Sequence, residues 1–213
     1  MSEKSPDKKL KTKGGKSLDS SPSGDHLRKL VSKAQGGDVG AFQGLYKIYS
    51  KKILNYLYRM TGSREEAEDL AQDTFIQAYK KLSFLRDPLK IQSWLFRIAQ
   101  NNVFQKYRGR QPVVESIDEH DLTEWSELQQ LTTPQMEPEG EVLSIELEEV
   151  IARAISQLPD KYRTVFVLSA IQRISYKEIS GIVGRSLASV KSDIHRARIL
   201  VRDKVKEYMR EKH

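Results

Sequence analysis

The sequence contains no cysteine. That excludes disulfides and thiolate metal sites and makes a reducing, cytoplasmic compartment the expected home. Histidine is scarce too. His26, His120, His195 and His213 are scattered, so no His-x-x-x-His pair is available to grip zinc. No apolar run approaches the roughly 18 residues that would span a bilayer. The Lys-rich N-terminus is not followed by an apolar core, so no secretory signal is read there. One absence is local: between Arg110 and Arg153 there is no Lys or Arg, while Asp and Glu are dense. The net charge of +7 therefore understates how basic the two flanks are. Two basic blocks around an acidic spacer suit an anionic partner, with a connector that is not itself a nucleic-acid ligand.

The 213 residues suffice for one or two small domains. Residues 1–24 are mostly Lys, Ser, Gly and Pro, cannot bury a core, and read as a disordered basic tail. Within them Lys13-Gly14-Gly15-Lys16-Ser17 resembles a phosphate loop only briefly. Leu10 stands where the motif needs its first glycine, and no apolar strand precedes it. Residues 25–110 read as a compact helical domain. Phe42, Leu45, Tyr46, Tyr49, Ile53, Tyr56, Leu57 and Met60 recur at helical spacing. Gly62 ends that helix, and Ser63 caps the next ahead of Glu65 and Glu66. Leu70, Ala71, Thr74, Phe75, Ala78 and Leu82 form its buried stripe. Asp87-Pro88 marks a loop, and a further helix runs from about Ile91 to Arg108. Residues 111–140, punctuated by Pro112, Pro134 and Pro138, read as a flexible acidic linker. Residues 141–213 return to helical periodicity, with a break at Leu158-Pro159. No alternating run suggests a sheet. The fold class expected is all-α, with two small helical domains.

The end of the chain is the most specific part. Tyr176 to Val183 reads as a short helix, Gly184, Arg185 and Ser186 as a turn, and a cationic helix follows from Leu187. Ile179, Ile182, Val183, Val190 and Ile194 can meet between the helices, leaving Lys191, Ser192, His195 and Arg196 facing outward. This is a helix-turn-helix pattern whose second helix can enter a major groove. A plain helical hairpin is the bland alternative.

Other motifs precede it in order. Asp69-Leu70-Ala71-Gln72-Asp73-Thr74-Phe75 comes first, then Ser93-Trp94-Leu95-Phe96-Arg97-Ile98-Ala99-Gln100-Asn101. Leu158-Pro159 and Ile174-Ser175-Tyr176-Lys177-Glu178-Ile179 follow, and the series ends in Val190-Lys191-Ser192 and Arg196-Ala197-Arg198. Over roughly residues 25 to 210 the set closely resembles the extracytoplasmic-function (ECF) group of bacterial sigma-70-family sigma factors.

The resemblance implies an initiation subunit that binds core RNA polymerase, recognises −35 and −10 promoter elements, helps to melt the promoter, and has neither catalysis nor a cofactor of its own. It implies that Asp69, Gln72, Asp73 and Phe75 dock on the β′ clamp helices, with the β subunit receiving the C-terminal domain. A solvated helix face is the plain alternative for the charged members. It implies that the loop from Leu85 to Ile91 supplies a −10 pocket and that Asn101 helps to line it. Arg86, Lys90, Arg97 and Arg108 belong with that site as cations fit to follow phosphates. A buried structural amide is the competing role for Asn101. Ser189, Lys191, Ser192, His195 and Arg196 are the expected −35 contacts. An anti-sigma factor that occludes both domains is a common family partner, and the free chain is expected to be a monomer. The connector of the family threads through polymerase channels, which suits the acidic linker.

Two departures stand out. Arg86-Asp87-Pro88 replaces a frequent Arg-Gly-Asp, and Asp193 occupies a position where Arg is frequent. An acid there would repel phosphate unless it faced Lys191 or Arg196 or accepted a hydrogen bond from a cytosine amino group. A stand-alone helix-turn-helix regulator and a metal-dependent DNA-processing enzyme are the rival readings.

Overall fold

A computed structural model describes residues 23–107 and 141–211, with side chains from residue 147 onward in the second segment. All regular elements among them are helical. Polar caps and left-handed glycines set the boundaries of the first group. Helix α1 (Gly24–Gln35) opens on Ser23, whose hydroxyl accepts from the His26 N–H. Helix α2 (Val39–Thr61) opens on Asp38, which accepts from the Ala41 N–H at 2.9 Å. It stops at Gly62, where φ is 72° and a side chain would be strained. Ser63 caps α3 (Arg64–Lys81), with Glu65 and Glu66 in the first turn, where negative charge is favourable. Two short 3₁₀ turns, Leu82–Phe84 and Pro88–Lys90, lead into α4 (Ile91–Tyr107).

Leu45, Ile53, Leu57, Ala67, Leu70, Ala78, Leu95, Phe96 and Ala99 form the buried centre of this group. Trp94 is half-buried and packs on its margin. One buried polar network ties α3 to α4. The Asn102 amide donates to Thr74 Oγ1 at 3.1 Å and accepts from Gln77 Nε2 at 2.9 Å. Thr74 in turn donates to the Leu70 carbonyl at 2.7 Å. The structural amide considered for position 101 is thus its neighbour Asn102, while Asn101 itself is exposed.

The second group contains α5 (Glu141–Ser156), α6 (Asp160–Phe166), α7 (Tyr176–Val183) and α8 (Leu187–Glu211). A π turn at Val167–Ile171 prolongs α6 and buries Val167 and Leu168. Ser175 and Glu178 open α7 as a reciprocal capping box: Ser175 Oγ accepts from the Glu178 N–H and donates to its carboxylate at 2.7 Å. Against α8 are packed α5, α6 and α7.

The two groups do not stand apart. Helix α7 lies on α4, while α5, α6 and the π turn lie on α2, and the buried apolar residues of both groups form one continuous cluster. Arg163 joins them through its guanidinium. Nη1 donates to the Met60 carbonyl at 3.1 Å, and Nη2 donates to the carbonyls of Ser156 and Leu158 at 2.7 and 2.8 Å. Tyr56 is fully buried at this junction and donates to the Gln100 side chain. Burial drives its phenol far above the ordinary value, and a hydrogen bond with Thr164 from the other group offsets part of that.

Asn102→Ala is expected to cost about 1–3 kcal/mol, because it strands the Thr74 and Gln77 groups beneath α4. Asn101→Ala should leave stability unchanged. Urea unfolding of both variants, followed by circular dichroism, checks the pair; equal midpoints would remove the structural assignment of Asn102.

Candidate nucleic-acid interface

The helix-turn-helix is built from a short helix, a fixed turn and a long helix. Ile179, Ile182, Val190 and Ile194 are buried where α7 crosses α8. Gly184 ends α7 in the left-handed region, φ 68°, and donates its N–H to the Ser180 carbonyl. Ser180 Oγ donates to the Arg185 carbonyl at 2.5 Å, and Ser186 Oγ accepts from the Ser189 N–H at 3.1 Å. At 100° per residue, Ser189, Lys191, Ser192, His195 and Arg196 fall on the arc opposite Val190, Ile194 and Ala197. Lys191 is exposed, and the other four are half-buried. The sequence-predicted −35 set is thus gathered on one side of the first three turns of α8.

Asp193 is buried and is held by partners that the sequence did not point to. It is 5% exposed, forms an ion pair with Arg185 of the turn, and lies 3.7 Å from Lys161 Nζ of α6. Arg185 also reaches the Lys161 carbonyl at 3.4 Å. The acid therefore fixes the turn to the base of α8 and to α6. The sequence hid this because the partners stand 8 and 32 positions away, and helical periodicity does not pair a turn residue with a residue inside the next helix.

The α3–α4 connection has a defined backbone. Gln35 donates to the carbonyls of Leu82 and Leu85 at 3.0 and 2.8 Å, and both leucines are buried. Asp87 caps the second 3₁₀ turn by accepting from the Leu89 N–H at 3.0 Å, and Pro88 occupies the first position of that turn, where no donor is needed. Arg86, Lys90, Arg97 and Asn101 are exposed on this connection and on α4. Lys90 is 3.7 Å from Glu178 of α7, and Lys106 is 3.5 Å from Glu66 of α3. Among the described residues, Phe84, 78% exposed, is the most exposed of the large apolar side chains. Arg108 and residues 111–140 lie outside the described residues.

A third surface joins α2 and α3. Phe42 meets Tyr79 edge-on with centroids 5.0 Å apart, and Tyr46 meets Phe75 at 4.7 Å. With Gln72 and Ile76 they line an open groove of about 900 Å³. Asp69 and Asp73 are exposed on the neighbouring strip of α3, whereas Phe75 is buried beneath Tyr46. Tyr46, one of the residues recurring at helical spacing, is half-exposed at the groove. Tyr46, Ile76 and Tyr79 were not named as site residues. The readable signal was that Ile76 and Tyr79 are apolar yet fall off the buried stripe of α3. Among the described residues, no three His, Asp or Glu side chains gather as a metal site, and no helix is long and apolar enough to cross a membrane.

Asp193→Ala should destabilise the C-terminal helices by about 2–3 kcal/mol, below the range for a fully buried pair because Arg185 and Lys161 are partly exposed. Asp193→Asn should lose less. Thermal unfolding checks this; unchanged stability with altered promoter preference would instead give Asp193 a contact with DNA.

Comparison with known proteins agrees with this geometry. Residues 45–113 match the family described as Sigma-70 region 2, and residues 148–200 match Sigma-70, region 4. The chain is 36% identical over 185 residues to the ECF RNA polymerase sigma factor SigW of Bacillus subtilis, covering 85% of this chain and 97% of that one. It is 32% identical over 186 residues to the RNA polymerase sigma-H factor of Pseudomonas aeruginosa, covering 86% and 96%. Among solved structures, CnrH in complex with the cytosolic domain of CnrY superposes with a TM-score of 0.62 at 25% identity, over 86% of this chain and 99% of that one. RpoE of Bartonella quintana, in complex with the anti-sigma factor NepR, superposes at 0.58 and 20% identity over 79% and 98%, which speaks for the fold. With two sigma-70 regions in order and relatives matched along nearly their whole length, this chain belongs to the ECF sigma factors of the sigma-70 family, subunits that direct promoter-specific transcription initiation by RNA polymerase.

Proposed function

We propose the following division of labour for this ECF sigma factor. The groove between α2 and α3, with Gln72 on its lining and Asp69 and Asp73 beside it, docks on the β′ clamp helices of core polymerase. Phe75 acts from below by holding Tyr46. An apolar groove next to acids suits a specific and reversible dock, since charge steers the encounter and the rings supply buried area. The α3–α4 connection and the exposed side of α4 take the melted −10 strand: Arg86, Lys90 and Arg97 follow phosphates, and Asn101 offers a donor and an acceptor to a base edge. The first turns of α8 enter the major groove at −35 through Ser189, Lys191, Ser192, His195 and Arg196. The two groups of helices act as separate domains on polymerase, the second meeting the β subunit. The chain performs no chemistry, and polymerase forms the phosphodiester bond. It works in the cytoplasm, and a partner of the anti-sigma kind is expected, because CnrH and RpoE are described with CnrY and NepR.

The observation that supports this reading is one chain that carries the α8 arc with Lys191 and Arg196, inside the region 4 match, and an aromatic groove on α2 and α3, most of it inside the region 2 match. The direct test adds the purified chain to bacterial core polymerase over fragmented genomic DNA and sequences the RNA 5′ ends. Discrete start sites sharing −35 and −10 motifs are expected. Specific duplex binding without new start sites would favour a stand-alone regulator.

Two variants test the surfaces separately. Asp69→Ala with Asp73→Ala should weaken core binding roughly 3- to 10-fold with the fold intact, as for a pair of partly screened interface charges. Unchanged affinity in a core titration would remove the dock. Arg196→Ala should lower promoter affinity of the holoenzyme and reduce the salt slope by about 0.9. An identical slope would argue against a phosphate contact.

A further inference from the structure

The chain enters the helix-turn-helix through a corner that is costly for the residue it carries. Arg173 has φ 54° and is, among the described residues, the one other than glycine in the left-handed region; Gly37, Gly62 and Gly184 are its companions there. The corner ends the π turn and admits α7. Gln172 donates its N–H to the Val167 carbonyl and Ile174 donates its N–H to the Leu168 carbonyl, both at 3.0 Å, and Ile174 is buried directly after the bend. An L-residue in that conformation brings its Cβ against the following carbonyl, so glycine is what the backbone favours. No contact within the fold offsets this cost. The Arg173 side chain is exposed and makes no ion pair or hydrogen bond among the described residues.

The neighbours of Arg173 leave positive charge uncompensated. Lys177, on the first turn of α7, is exposed and equally without a partner among the described residues. Glu178, the acid of that turn, is taken up by Ser175 at 2.7 Å and by Lys90 at 3.7 Å. This end of α7 is also held in register with α8, because Arg198 donates to the Tyr176 hydroxyl at 3.0 Å. A helix-turn-helix lays its second helix in the major groove while its first crosses the phosphate backbone. With the first turns of α8 in the groove, the start of α7 falls at the bordering strand, where cations beside a helix N-terminus suit a phosphate.

We propose that Arg173 is a phosphate-binding residue of this helix-turn-helix. It lies outside the reading arc of α8 and reads no base. Its strained corner is kept because it presents the guanidinium to the strand bordering the −35 groove, with Lys177 as a second cation beside it. This contact rests on the −35 reading above and adds to it a grip on the DNA backbone that fixes how α8 enters the groove.

Arg173→Gly tests this through two effects of opposite sign. The thermal midpoint of the purified chain should rise by about 1–4 °C, because glycine relieves the left-handed strain. The affinity of the variant holoenzyme for a promoter found by the transcription assay should nevertheless fall roughly 3- to 10-fold. The slope of log K against log salt should become shallower by about 0.9, the share of one phosphate. Arg173→Lys should keep the wild-type slope. Single methylphosphonates, placed in turn along both strands of the −35 element, should include one neutralised position at which wild-type and Arg173→Gly holoenzymes bind equally. Equal affinity and slope on unmodified DNA would overturn the contact, as would a methylphosphonate scan with no such position. A lowered thermal midpoint accompanying the loss of affinity would make Arg173 a folding residue and overturn it as well. Failure of the wild-type chain to direct initiation would remove the −35 reading itself, which the comparison of variants leaves untouched.

Discussion

One guanidinium ties the ends of helices from both groups together. Helix termini leave carbonyls without partners, and a cation near the last turn satisfies both the hydrogen-bonding need and the dipole. Arg163 does this for two helices at once: its side chain serves Met60 at the end of α2 and Ser156 at the end of α5, together with Leu158 just beyond. Hydrogen bonds to a charged group contribute about 1.5–3 kcal/mol each when desolvated. The Arg163 side chain is 17% exposed, so part of that strength is retained. The rest of the junction surrounds it. With α6 drawn against α2, Tyr56 is sealed from water, Thr164 meets its hydroxyl, and α7 comes down on α4.

The reading helix depends on a different cluster. A recognition helix delivers specificity only if its first turns are held in place, because misplacing a side chain by an ångström loses a bidentate contact. Here the turn is locked from three directions. Gly184 supplies the left-handed corner, Ser180 closes the backbone, and Asp193 ties Arg185 to α8 and α6. An acid near DNA would ordinarily repel it. Buried between two cations, it leaves the surrounding charge positive and adds rigidity.

Most of the architecture was legible because it is local. The helix-turn-helix emerged with its boundaries, since a capped amphipathic turn, a left-handed glycine and apolar pairs at helical spacing all act within a few residues. Ser63 and Gly62 were readable for the same reason. What escaped was non-local or degenerate. Periodicity groups Tyr46 with the apolar residues of α2, but only the position of Phe75 and α3 decides that its ring lies in an open groove. The choice between Asn101 and Asn102 as buried amide turns on 100° of helix rotation, which adjacent polar residues do not reveal. The Asp193 pair and the Arg163 bridge join residues that no pattern links. The closure of the two groups onto each other was illegible because an acidic, proline-punctuated connector is compatible with any separation it can span.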